Sequence, residues 1–129
     1  MSKLISREAF LSADDLKFED VPVPEMGEDA SVRIQVMPGN VRDVWEEGLT
    51  KRRDVNDKIT NLKGMKAELL VECAVDDDGT RLFTAEDVMA INEKNGTVID
   101  RLCDVAMKLN GLSDKSLEEM RKNSEADPS

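Results

Sequence analysis

This 129-residue chain contains no histidine and no tyrosine. Without His, a Ser or Cys nucleophile lacks its commonest general base, and the chain has no Gly-rich phosphate loop and no G-x-S-x-G elbow. Its two cysteines, Cys73 and Cys103, lie in apolar runs without C-x-x-C spacing. With no His to complete a zinc site, both read as core thiols, neither metal ligands nor a disulfide. Aromatic residues make up only 3% (Phe10, Phe18, Trp45 and Phe83), against 40% hydrophobic overall. The core must therefore be aliphatic and Met-rich, built from helices more than from a large sheet. Long apolar runs are also missing. Residues 1–6 lack the roughly 7 to 15 apolar positions of a signal peptide, and no window approaches the roughly 18 needed to span a bilayer. A cytosolic protein is expected. Basic residues are outnumbered, 18 Lys and Arg against 28 Asp and Glu, for a net charge of -10. That balance opposes binding to nucleic-acid phosphates or to an anionic membrane.

The acids that are present make no facing dyad, since Asp14-Asp15, Glu46-Glu47 and Glu118-Glu119 are neighbours that diverge on a helix. One acidic turn, Asp76-Asp77-Asp78-Gly79, invites a metal reading. An EF-hand loop with Gly79 at its sixth position would need ligands where Ala74 and Ala85 stand, so a tight turn before a helix is the better reading. No catalytic residue, no metal and no cofactor is expected, and the chain is not read as an enzyme.

Secondary-structure signals are plentiful. Val21-Pro22-Val23-Pro24-Glu25-Met26-Gly27 and Ser31-Val32-Arg33-Ile34-Gln35-Val36 alternate in character around a Gly and acid turn, which predicts a hairpin over residues 17–37. The prolines confine its first strand to an edge. Ser6 caps a short helical turn, and Asn40 with Asp43 opens a helix whose Val41, Val44, Trp45 and Leu49 share one face. Residues 51–58 alternate in charge and read as a loop or weak helical extension. From Leu62 to Val75 a central helix is expected; a strand over residues 69–75 is the alternative, but Ala67, Glu68, Glu72 and Ala74 favour helix. Thr84 with Asp87 forms a capping box for a short helix carrying Val88, Met89 and Ile91. A further helix follows Asn95-Gly96 and ends at a left-handed Asn110-Gly111 cap. A last, weakly apolar helix carries Leu117 and Met120. The expected fold is α+β and predominantly α, an N-terminal β-hairpin appended to a small bundle of about four to five helices. Residues 1–123 read as one domain (hairpin 17–37, helical part 40–122) and residues 124–129 as a disordered tail. Met65, Met89 and Met107 are expected in the core, Met26 and Met37 at the surface.

The order of these pieces resembles the tail assembly chaperones of long-tailed bacteriophages. Members of that family carry a V-x-V-P-E-W-G-G-like turn, a V-x-V-R-like strand, an E-R-D-x-F/W-E-like helix start, a D-x-D-G-x-R-L-F turn and a terminal L-N-G-L. Matching residues here are Val21 to Gly27, Val32 to Val36, Arg42-Asp43-Val44-Trp45-Glu46, Asp77-Asp78-Gly79-Thr80-Arg81-Leu82-Phe83 and Leu109-Asn110-Gly111-Leu112. Met26 and Glu28 stand where an aromatic and a Gly are usual, and extra residues precede Ser31, so a longer hairpin tip is expected. Val41 stands where an acid is usual.

The resemblance implies a protein that binds the long, apolar, helix-rich tape measure protein in the host bacterial cytoplasm. It would keep that protein soluble while tail tube subunits assemble around it, and be absent from the finished virion. It also implies a longer form, made by a programmed frameshift, that recruits the tail tube protein. An open hairpin edge, adaptable Met residues and a weakly held last helix suit such binding, and Val23, Met26, Val32, Ile34, Met37, Leu117 and Met120 are the candidate partner-binding residues. The alternatives are a small structural tail or head-tail protein of the virion, and an acidic regulator that binds a basic partner. The apolar surplus on two helices serves either as internal core or as the face of a homo-oligomer.

Overall fold

The computed structural model describes residues 2–51 and 64–112. Five α-helices and three antiparallel strands make up these residues, an α+β arrangement that is mainly helical. Helix α1 (Arg7–Ser12) starts where the sequence predicts, with Ser6 Oγ accepting the Ala9 N–H at 3.1 Å, and none of its residues is buried. Strands β1 (Phe18–Pro22) and β2 (Ser31–Gln35) pair in the register Phe18 to Gln35 through Pro22 to Ser31. That register places Val21, Val32 and Ile34 on one face and Asp20 with Arg33 on the other. On the outer face the Arg33 guanidinium is bidentate to Asp20 (2.7 and 3.0 Å) and lies 4.1 Å from the Phe18 ring centre. The connection between the strands, residues 23–30, holds a 3-10 turn at Pro24–Met26.

Helix α2 (Gly39–Lys51) begins one residue before the expected Asn40 cap, with the Pro38 carbonyl accepting the Arg42 N–H. Trp45 is buried, as its stripe predicts. Val44 is not: it is 58% exposed, because α2 packs against the domain mainly through α3 and Val44 lies at the mouth of the cleft beside that contact. Helix α3 (Met65–Cys73) is central, with Ala67, Leu69, Leu70, Val71 and Cys73 buried.

The expected helix to Val75 stops short. Ala74–Val75 forms a third strand, β3, which pairs with β2 at Ile34 and Arg33. A helix-favouring composition loses here to strand pairing, since β2 offers unpaired backbone groups and Gly79, at φ +82°, turns the chain sharply just beyond. Asp76 Oδ1 accepts the Asp78 and Thr80 N–H groups, both at 3.0 Å, which makes the acidic turn a hydrogen-bonded Asx-type turn.

The Thr84–Asp87 capping box is formed and opens a 3-10 turn (Ala85–Asp87) that runs into α4 (Val88–Asn92). Met89, expected in the core, is 78% exposed. Ile91 is the buried residue of α4, and two positions along a helix place Met89 on the opposite side. Helix α5 (Gly96–Leu109) is capped by the Asn95 side chain and closes on Gly111, at φ +69°. The Leu112 N–H reaches the Met107 carbonyl at 2.6 Å and the Gly111 N–H that of Lys108 at 3.2 Å, the double bond pattern of a Schellman cap. Cys73 and Cys103 are buried free thiols, and burial pushes both up to about 12.

The hairpin is part of the core. Val21, Val23 and Ile34 are buried with residues of α3 and α5, so its inner face completes the apolar layer. The loop after Lys51, the last expected helix and the tail of residues 124–129 lie outside the described residues.

Candidate partner-binding groove

An apolar groove opens where the hairpin tip, α4 and α5 meet. Its volume is about 290 Å³, and Leu70, Ile91 and Leu102 form a buried floor. Met26, Val32, Phe83 and Ile99 line its sides, and Ala90, Asp87 and Lys94 reach it from the α4 segment. Each wall has a local cause. Val32 sits next to the tip on the strand face that points into the core, and the 3-10 turn after Pro24 lifts Met26 over the opening. The Thr84–Asp87 box sets the start of α4, so Ala90 and Ile91 are held opposite Ile99 and Leu102 of α5.

The tip is clamped. Arg101 of α5 holds the Glu25 carboxylate at 2.6 and 2.8 Å and also reaches the Pro22 carbonyl at 3.3 Å. This Arg101 contact, helped by a backbone hydrogen bond at Glu25, lowers the Glu25 carboxyl to about 2. A second, more polar cleft of about 410 Å³ lies between α2 and α3, lined by Val44, Trp45, Glu47, Glu68 and Glu72 among others. Glu72 there is paired with Arg81. At the acidic turn the carboxylates of Asp76, Asp77 and Asp78 lie within 4.8 Å of one another, and the neighbouring charges raise the Asp78 carboxyl. Its backbone-bonded Asp76 fits the turn reading of the sequence. Among the described residues no helix is long and apolar enough to cross a membrane.

A family model described as phage tail assembly chaperone matches residues 7–123. The chain belongs to this family. The solved structure of the bacteriophage HK97 tail assembly chaperone is similar to it, with a TM-score of 0.55 and 21% identity over 83% of this chain and 95% of that one. At such low identity this likeness shows the fold. No curated protein matches the sequence.

The structure separates the partner-binding residues expected for this family member. Met26, 51% exposed, and the half-buried Val32 come together at the groove. Val23, Ile34 and Met37 are core residues, out of reach of a partner that docks on the folded chain. Met37 was expected at the surface; it is buried because the Asn110 side chain satisfies its N–H at 2.8 Å, which removes the cost of taking that group out of water. Leu117 and Met120 lie outside the described residues. Phe83, Ala90, Ile99 and Leu102 were not among the expected partner-binding residues. Phe83 carried a signal, as the last residue of the Asp77-to-Phe83 match, whereas Ile99 and Leu102 read as ordinary stripe positions and Ala90 carried no signal.

Proposed function

We propose that this chain is a tail assembly chaperone that binds the tape measure protein in the host bacterial cytoplasm. It keeps that protein soluble and acts by binding, without catalysis. Family membership over residues 7–123 carries this reading, and the open apolar groove with Met26 at its mouth supports it. A net charge of -10 lends solubility to a complex with an apolar client. Recruitment of tail tube subunits is assigned to a longer, frameshifted form; Arg121-Lys122-Asn123 can be encoded by A-rich codons that permit slippage, and reading the gene tests this. Self-association is a further property proposed for the free protein, and departure before the virion is complete is proposed for the assembled tail.

Co-expression with the tape measure protein of the same genome tests the reading. The expected result is a several-fold rise in soluble tape measure protein that co-purifies with this chain. No rise and no co-purification would overturn it, and detection of the chain in purified particles would favour a structural tail protein instead.

A further inference from the structure

Strand β1 closes one side of the sheet, whose order among the described residues is β1-β2-β3. The Val36 N–H bonds the Lys17 carbonyl and the Val23 N–H the Ala30 carbonyl, both at 2.9 Å, so residues 17, 19, 21 and 23 turn their backbone groups toward β2. Phe18, Asp20 and Pro22 turn theirs outward. Pro22 has no N–H, and its carbonyl accepts from Arg101, which closes that end of the edge. The outward groups of Phe18 and Asp20 have no partner among the described residues, and Phe18, Glu19 and Asp20 are exposed. A row of unpaired N–H and C=O groups fits one kind of ligand, another extended strand.

This edge is complementary to itself. Lys17 and Glu19 share a face, one residue either side of Phe18; both are exposed, and neither has an ion-pair partner among the described residues. A second copy related by a two-fold axis brings β1 against β1 in the antiparallel sense, and only outward-pointing residues can then exchange hydrogen bonds. Phe18 opposite Asp20 would set Glu19 against Glu19, and Phe18 opposite Leu16 would set Lys17 against Lys17. Asp20 opposite Asp20 would call on the missing Pro22 N–H. Phe18 opposite Phe18 has none of these faults. It sets each Lys17 against the other copy's Glu19 and brings together two exposed Phe18 rings, each 4.1 Å from its own Arg33 guanidinium. We propose that β1 is a self-association edge, joining two copies antiparallel about Phe18 into one continuous sheet. This inference rests on the self-association proposed above for the free protein and names its surface and register. A pairing of about five residues a side is smaller than a standard interface of roughly 1,200 Å², so the dimer is weak and reversible.

Sedimentation equilibrium on the full chain tests this, at about 0.15 M salt to screen the repulsion between copies of net charge -10. The unaltered chain should show a reversible equilibrium of monomer and dimer. Lys17→Glu and Glu19→Lys should each weaken the dimer on the order of tenfold, because each sets like charges opposite one another at both symmetry-related pairs. Glu19→Lys should do so even though it lowers the net negative charge. An equimolar mixture of the two variants should restore a dimer, since acid on one copy then faces base on the other at both pairs. Phe18→Pro removes an outward N–H and leaves the hydrogen bonds of β1 to β2 in place, so it should weaken the dimer more than Phe18→Ala does. Self-association that neither charge variant alters, no dimer in their mixture, or a Phe18→Pro dimer as strong as that of Phe18→Ala would overturn the edge while self-association itself stands. A chain that stays monomeric at about 1 mM would overturn both. The chaperone reading is decided apart from these outcomes, by the soluble yield of the tape measure protein.

Discussion

Asn110 joins three elements with one side chain. Its Oδ1 accepts the Met37 N–H, its Nδ2 donates to the Ala106 carbonyl at 2.8 Å and contacts Cys73 Sγ at 3.6 Å. Its own carbonyl accepts from Arg42 at 2.9 Å. Being buried, it is useful only while each group is paired. Asn110→Ala leaves the buried Met37 N–H without an acceptor and should destabilise the fold by about 1 to 3 kcal/mol. Urea unfolding checks this: the midpoint should fall with the slope unchanged. In the sequence Asn110 was legible as a helix terminator beside Gly111, because capping is local chemistry. Its reach to Met37 was not, since nothing local in either residue announces a partner so distant in the chain. Met37 was misplaced at the surface for the same reason.

Local signals located the elements well where a single cap or turn decides them, as at Ser6, Thr84, Asn95 and Gly111. They failed at Ala74–Val75, where the outcome depends on β2 supplying a strand edge, and at Val44 and Met89, where it depends on which helix packs alongside. The hairpin illustrates both cases. Its strands and its Pro-bearing edge were readable from alternation, whereas its place in the core follows from packing on α3 and α5. The Glu25–Arg101 pair fixes the tip to α5, and its effect depends on pH. A carboxyl held at about 2, against an ordinary value of 4.5, stabilises the fold above pH 4.5 and loses that contribution as the pH falls toward 2. Glu25→Gln should therefore lower the denaturation midpoint at neutral pH, and its difference from the unaltered chain should close between pH 4.5 and about 2. A difference that stays constant across that range would show that the tip is held by packing alone.

For the whole molecule, composition and fold point the same way. A chain with few aromatics and an excess of acid forms a small aliphatic core, keeps a charged exterior and leaves an apolar groove open at the hairpin tip among the described residues. Family identity was legible because it rests on the order of several short motifs along nearly the whole chain. The groove was only half legible: Met26 and Val32, which line it, were expected as partner-binding residues of the hairpin, but the α4 and α5 walls come together through tertiary packing. The claim that this groove is where a tail protein docks is tested most directly by amide hydrogen exchange on the chain alone and in complex with co-purified tape measure protein. Exchange should slow in α4 and at the Pro24–Met26 turn while the β1 and β2 amides stay unchanged. Unchanged exchange at both α4 and the tip, in a complex that nonetheless forms, would contradict it.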